Sequence, residues 1–216
     1  MIPVVGVILF IILYFIAANL YPGGSQGNHH SVGFSWTANY WCNLLAGTAM
    51  NGQVNPARPV AIAGMLVLCL TLSAFFYIFP RYSNSSRLWT NIIRLSGIIG
   101  VSLSFLLLAA VDHDVALDLA CFFGLIAFAG VLKGLYSNEC RPLFWFGIFN
   151  LLLVAVNNYV YYSGGLISAL PLIQKFTFIS FLAWIAWVSF YLYRQGKGLG
   201  ETSTTGPAGA GFTGVH

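Results

Sequence analysis

One short stretch of this 216-residue chain concentrates the groups that could take part in chemistry. Three of its five acidic residues, Asp112, Asp114 and Asp118, lie within seven positions, and His113 stands between the first two. An imidazole beside carboxylates suits either a metal site or acid/base chemistry. The flanking sequence is strongly apolar, and a carboxylate in membrane-like surroundings is costly enough to indicate a function.

A structural role explains part of the same stretch. Asp112 and Asp114 stand at the start of a predicted helix, where carboxylates cap free N–H groups and meet the positive end of the helix dipole. Capping is our first interpretation, and His113, Asp112 and Asp114 are kept as candidate catalytic residues. His29 and His30 of the first loop are weak candidate ligands that would complete a metal shell with His113, although no recognised ligand spacing is present. The sequence indicates no cofactor.

Polar side chains inside predicted membrane spans form a candidate ligand-binding cluster. Asp118 lies one turn into the fourth span, and Lys175 enters the sixth span from the same side. We expect these two to form an ion pair that fixes the helices against each other, or a polar floor for a ligand cavity. Asn150 and Asn157 share one face of the fifth span, where they would hydrogen-bond to a neighbouring helix or contact a ligand.

The elements that must position these residues are membrane-spanning helices. The chain is 58% hydrophobic and 6% charged, with apolar runs of the length that crosses a bilayer. The runs are continuous rather than alternating, which excludes a closed β-barrel. We predict an all-α protein, a six-transmembrane-helix bundle in one domain, 1–193. The predicted spans are 2–20, 60–79, 88–110, 115–135, 143–162 and 167–193.

The remaining segments are one long loop and a tail. The first run has no Lys or Arg before it and is long for a signal peptide, so we expect a retained helix. The loop, 21–59, contains a stretch at 36–46 whose Trp and Tyr residues favour a short helix lying at the membrane interface. The tail, 194–216, is rich in Gly, Thr and Ser and is expected to be flexible. The four cysteines have no CxxC spacing and imply no disulfide framework.

The basic residues predict an orientation, because short cytoplasmic loops are enriched in Lys and Arg. With the N-terminus in the cytoplasm, Arg58 is the one basic residue at an outer end of a span. Six others lie at inner ends: Arg81, Arg87, Lys133, Arg141, Arg194 and Lys197. We therefore expect both termini to be cytoplasmic and the polar cluster to lie in the outer half. Arg94, nearly two turns into the third span, can extend back to the inner face.

Composition and motifs exclude several classes of function. The net charge is +4 and the Lys and Arg residues are not clustered, so nucleic acid is not an expected partner. The stretch 23–27 fits the letters of G-x-S-x-G, and 209–214 fits those of G-x-G-x-x-G. Neither lies between a predicted strand and a predicted helix, so neither predicts a nucleophile elbow or a phosphate loop. The expected partners are membrane lipids and, as an alternative, other membrane-protein subunits.

Binding of a lipid or small amphiphile, or a role as accessory subunit of a larger membrane complex, is the favoured function, and catalysis is left open. The alternative is a membrane-embedded lipid hydrolase that uses the His/Asp stretch, with or without a metal. A proton-coupled carrier would require Asp118 and Lys175 to face water from both sides in turn. The chain has no inverted repeat that would support such a carrier.

Two motifs of the first loop carry a resemblance to a known family. Tyr21-Pro22-Gly23-Gly24 ends the first helix, and Asn39-Tyr40-Trp41-Cys42-Asn43-Leu44-Leu45 follows in the loop. These are similar to the Pro-Gly turn and the N-[FY]-x-S-D-L-G stretch of a bacterial six-helix membrane family called domain of unknown function 998. Cys42 and Asn43 stand where that family tends to have Ser and Asp.

The resemblance extends to later helices. His113 with Ala116, Phe122 and Phe123 resembles the family's H-x-x-x-A…F-F run, with Ala116 one position early. Gln174-Lys175 resembles its Gln-Arg pair, which adds Gln174 to the predicted cluster. The same features are more loosely similar to the damage-regulated autophagy modulator, Frag and Sfk membrane proteins. The resemblance implies six helices, an outer polar cluster and a bacterial inner (plasma) membrane; it implies no reaction, because the family has no established one.

Overall fold

Six long helices account for most of the residues that the structure describes. The structure is a computed structural model that describes residues 1–83, 85–106 and 113–204. The helices are α1 (Ile2–Leu20), α2 (Arg58–Ile78), α3 (Arg87–Leu106), α4 (His113–Ser137), α5 (Arg141–Ser163) and α6 (Leu170–Thr204). Three short 3-10 helices lie at Trp41–Leu45, Phe79–Arg81 and Ile167–Ala169. Within the described ranges no β-strand is present, and two isolated bridges occur in the first loop.

Each of the six helices is long and apolar enough to cross a membrane. The prediction of an all-helical bundle with six such helices is therefore confirmed, and the protein is treated below as an integral membrane protein. The first span begins and ends where the sequence predicted. Proline in the first turn of α1, α2 and α5 suits a position whose N–H has no partner within the helix. Gly164 ends α5 in the left-handed conformation, with φ 68°.

One expectation about the connecting segments is wrong. A helix over 36–46 does not form; the helical part is the 3-10 turn Trp41–Leu45. The sixth helix extends past the predicted end of its span at 193 and continues to Thr204, whereas the flexibility of the tail stays a prediction. Residues 205–216, like the predicted end of the third span at 107–110, lie outside the described residues.

Small residues and aromatic rings determine how the helices pack. α3 lies along α4, and a Cβ atom placed on Gly100 would come within 3.0 Å of the backbone nitrogen of Gly124. Such close backbone approach is the usual role of small residues between membrane helices. Trp184 of α6 is fully buried, with its ring centroid 4.9 Å from that of Phe128 and 6.4 Å from that of Phe75. These rings hold α2, α4 and α6 together.

The two ends of the bundle differ. Residues 21–57, between α1 and α2, fold over one end, which we call the loop end; the turn between α5 and α6 lies there too. Met1, the turn between α2 and α3, and the turn between α4 and α5 lie at the other end, which we call the terminal end. Every candidate residue of the polar cluster belongs to the half of its helix nearer the loop end, except Asn150 near the middle of α5.

Candidate functional site

The residues proposed for catalysis fall largely outside what the structure describes. Asp112 lies outside the described residues, and His113 and Asp114 form the first turn of α4 without a description of their side chains. His29 Nδ1 lies 2.9 Å from the carbonyl oxygen of Met50, to which it donates within the first loop. Among the described residues, no group of three or more His, Cys, Asp or Glu side chains is arranged to hold a metal ion.

The predicted ion pair between Asp118 and Lys175 is wrong. Asp118 is exposed on α4, whereas Lys175 is buried with 5% of its surface accessible. The Lys175 ammonium donates to the carbonyl oxygens of Asn39 and, at 3.1 Å, Pro171, and lies 5.5 Å from the ring centroid of Phe34. One carbonyl group of the loop and one of α6 itself therefore take the place that the sequence analysis assigned to a carboxylate. Counting charged partners alone misses backbone acceptors that a folded loop supplies.

Asn39 is the residue that presents the carbonyl group to Lys175, and sequence reasoning did not single out this role. Its side chain is fully buried, its Nδ2 donates to Gly24 O at 2.8 Å, and its Oδ1 accepts from Ser35 N–H at 2.8 Å. Asn55, near the other end of the loop, also binds loop backbone groups through its side chain: its Nδ2 donates to Ala46 O at 2.9 Å. Both amides satisfy loop backbone groups that would otherwise be buried without partners. The sequence signals were the Asn-rich composition of the loop and the place of Asn39 at the start of the motif that carries the family resemblance.

Trp41 inserts into the bundle and seals the loop end. Its ring centroid lies 5.9 Å from Phe10, 5.3 Å from Tyr14 and 5.1 Å from Phe178, which joins the loop to α1 and α6. The predicted interfacial segment thus contributes to the core as well as to the surface. The neighbouring Cys42 side chain is exposed, yet desolvation by surrounding protein atoms raises the pKa of its thiol above the ordinary value. A thiol that stays protonated is not an activated nucleophile.

Unpaired hydrogen-bond acceptors distinguish α5 and α6. The side-chain oxygens of Asn150, Asn157 and Gln174 are buried and have no hydrogen-bond partner among the described residues. The Asn150 amide nitrogen donates to Phe146 O of its own helix at 2.9 Å, and within the described residues Asn150 makes no hydrogen bond to a neighbouring helix. All three residues belong to the predicted cluster. Their side-chain oxygens lack partners, whereas the Lys175 ammonium donates to two carbonyl groups.

The packing of α5 against α6 brings two of these acceptors to the same depth. Trp184 Nε1 donates to Leu143 O at 2.8 Å, and a Cβ atom on Gly147 would lie 3.1 Å from the Trp184 ring. Asn157 and Gln174 are each ten residues from the Gly147–Trp184 contact in the direction of the loop end. At a rise of 1.5 Å per residue, both are about 15 Å from that contact. The two oxygens therefore belong to one level of the bundle.

The half of α5 that carries Asn157 is poorly covered. Only 22% of the most apolar stretch of α5 is buried inside the bundle, compared with 44% for α4. Val160 is the one fully buried residue over 151–163, and Leu152, Val156 and Tyr159 are exposed by 49% or more. Lipid or another protein can therefore approach the level of the unpaired oxygens from the side.

A cavity in the described structure lies elsewhere. It holds about 140 Å³ at the terminal end, between α1, α2 and α6, where Phe75, Phe79 and Leu192 are among its lining residues. Pockets for small molecules usually have about 300–1,000 Å³, so this cavity is smaller than usual for a ligand site. None of the predicted site residues lines this cavity. The unpaired oxygens of α5 and α6, rather than this cavity, are the better candidate for a functional site.

Comparison with models of protein families, with curated proteins and with solved structures finds no match for this chain. The resemblance to domain of unknown function 998 stays a prediction.

Proposed function

We propose that this integral membrane protein binds an amphiphile whose headgroup carries hydroxyl or ammonium donors, through Asn157 and Gln174 with Asn150 below them. The observation that carries the proposal is the set of three buried, unpaired amide oxygens along α5 and α6. A buried acceptor without a partner costs about 1–3 kcal/mol. Within a bilayer little water is available to reduce that cost. A ligand that donates hydrogen bonds removes it.

The chemistry of the site favours one kind of headgroup. The unpaired atoms are amide oxygens, which accept hydrogen bonds and so favour hydroxyl, amine or ammonium groups as partners. Among the described residues, Lys175 is the cation near this level, and it already donates to two carbonyl oxygens. A neutral or cationic headgroup, such as a glycerol, a sugar or an aminoalkyl group, therefore fits better than an anionic one. The exposed apolar residues Leu152 and Val156 lie along α5 where an acyl chain would run.

The proposal places the loop end on the outer side of the membrane. The distribution of Lys and Arg supports this orientation, with both termini in the cytoplasm. The site then opens to the outer leaflet. The resemblance stated above supports the bacterial inner membrane as the location.

A role as accessory subunit of a larger membrane complex is the second candidate, and the exposure of α5 favours it. A partner helix with Ser, Thr, Asn or Gln side chains would donate to the same oxygens, which is a common way for membrane helices to associate. The lipid-hydrolase alternative remains a prediction, because its residues Asp112, His113 and Asp114 are not described at the level of side chains.

Asn157→Leu tests the proposal, with Asn158→Leu as the matched control on the exposed side of the same turn. Each protein is extracted in mild detergent, and native mass spectrometry measures the bound lipid and the mass of any complex. We expect wild type and Asn158→Leu to retain a lipid with a donor-bearing headgroup, and Asn157→Leu to lose most of it. Loss of a protein partner with unchanged lipid would favour the subunit role instead. Unchanged lipid and partners in Asn157→Leu would contradict both.

A further inference from the structure

Two arginines converge on one tyrosine at the terminal end, in a place that the proposed function does not use. Arg94 of α3 has its guanidinium carbon 4.7 Å from the Tyr77 ring centroid, and Arg81 has its own 5.0 Å from the same centroid. Arg94 Nε donates to the Tyr77 carbonyl oxygen at 3.1 Å, and an Arg81 terminal nitrogen donates to the Tyr77 hydroxyl at 3.3 Å. The two guanidinium carbons are thus less than about 10 Å apart, since both lie near one ring.

Neither charge is neutralised within the described part of the chain. There, both guanidinium groups contact Tyr77 and no carboxylate. Each guanidinium has five N–H donors, and the contacts with Tyr77 use one on each side chain. Arg94 is also seven residues into α3 from Arg87, about 10 Å along the helix. An arginine that extends from this depth toward the membrane surface brings its charge to the level of lipid phosphates.

We propose that Arg81 and Arg94 hold the phosphate group of an anionic phospholipid beside Tyr77, at the terminal end of α2 and α3. The planar arginine fork matches phosphate oxygens in pairs, and Tyr77 contacts both guanidinium groups. Lipid phosphates lie at the depth that arginines near span ends reach, and basic sites between helices commonly take such headgroups. This site lies at the opposite end from Asn157 and Gln174, so neither proposal depends on the other.

Exposed apolar side chains favour a lipid over a free anion. Leu70 is two turns from Tyr77 along α2 and is 63% exposed, and Ile98 is one turn from Arg94 along α3 and is 38% exposed. Both lie toward the membrane centre from the arginines. An acyl chain attached to the bound phosphate would follow this surface, whereas inorganic phosphate would make no use of it.

The test measures lipid affinity in purified, delipidated protein. Phosphatidylglycerol or phosphatidylcholine is titrated into wild type, Arg81→Gln and Arg94→Gln, and native mass spectrometry counts the bound molecules. We expect wild type to prefer phosphatidylglycerol, and each variant to bind it about tenfold more weakly, because a charge-assisted contact is lost. Arg87→Gln is the matched control, since Arg87 is an exposed arginine at the start of the same helix and does not contact Tyr77.

Two results would overturn the proposal. An equal loss of affinity in Arg87→Gln would show that the lipid responds to surface charge in general. Thermal stabilisation of wild type by inorganic phosphate, equal to that by phosphatidylglycerol, would show a site for a free anion. If Arg94→Gln does not fold, Arg81→Gln alone decides, because Arg81 is exposed and lies beyond the end of α2.

Discussion

The first loop and the α5–α6 pair both bury side-chain amide groups, but the Asn39 amide of the loop is hydrogen-bonded and those of the helix pair have unpaired oxygens. Asn39 of the loop has its amide oxygen and nitrogen both bonded to backbone groups. Asn157 of α5 has its buried oxygen unpaired. A satisfied buried amide stabilises the fold around it, whereas an unsatisfied one costs free energy until something binds it. The loop is therefore a structural element, and the α5–α6 level is the better place to look for a ligand.

The largest expected effect is that of Asn39→Leu, which removes both amide contacts and leaves Gly24 O and Ser35 N–H without partners. We expect the free energy of unfolding to fall by about 2–4 kcal/mol, given the cost of buried unpaired groups. Denaturation in detergent micelles, followed by tryptophan fluorescence, measures it. Asn158→Leu, exposed on α5, is the control and should change little. If the two variants unfold alike, Asn39 does not organise the loop.

Lys175→Met is expected to loosen the loop with a smaller loss of stability, about 1–3 kcal/mol, since two hydrogen bonds to a charged group disappear. The methionine keeps most of the apolar length of the side chain. Limited proteolysis should cut residues 25–33 faster than in wild type. Lys133→Met serves as control, because Lys133 is exposed and lies 4.1 Å from the Trp89 ring centroid. Equal cleavage in the two variants would rule out Lys175 as the anchor of the loop.

Asn157→Leu should not lower the free energy of unfolding as Asn39→Leu does. In delipidated protein it removes an unpaired buried acceptor, so we expect the free energy of unfolding to stay the same or to rise by up to about 1 kcal/mol. The same denaturation experiment as for Asn39→Leu measures it. A loss of stability comparable to that of Asn39→Leu would mean that the Asn157 oxygen is paired within the protein, and the comparison would fail.

The smallest effect concerns the exposed Cys42, which reports the side of the membrane on which the loop lies. A charged maleimide applied to intact cells should label wild type and not Cys42→Ser. Since desolvation raises the pKa of this thiol, the reactive thiolate is scarce near pH 7. The labelling rate should be below that of a free thiol and rise about tenfold per pH unit. Labelling only after the cells are opened would reverse the proposed orientation.

The sequence predicted the helices better than it predicted the contacts of polar residues. The six spans and the Gly164 turn follow from local patterns, because each span must satisfy its own backbone hydrogen bonds within the bilayer. Asn150, Asn157 and Gln174 were identified as polar residues in spans or by resemblance. Asn39 was missed as an anchor, and Asp118 was given the wrong partner, because neither assignment can be made without knowing how the loop folds over α6.

The sequence alone determined that the chain has six apolar helices of membrane-spanning length and which few polar residues they carry. Only the tertiary structure decided which of those polar residues have partners. Lys175 finds a carbonyl group 136 positions away in the chain, and Asn157 comes level with Gln174 because Gly147 admits the Trp184 ring. Apolar length is a property of consecutive residues, whereas a hydrogen bond between distant segments depends on how whole helices and loops pack.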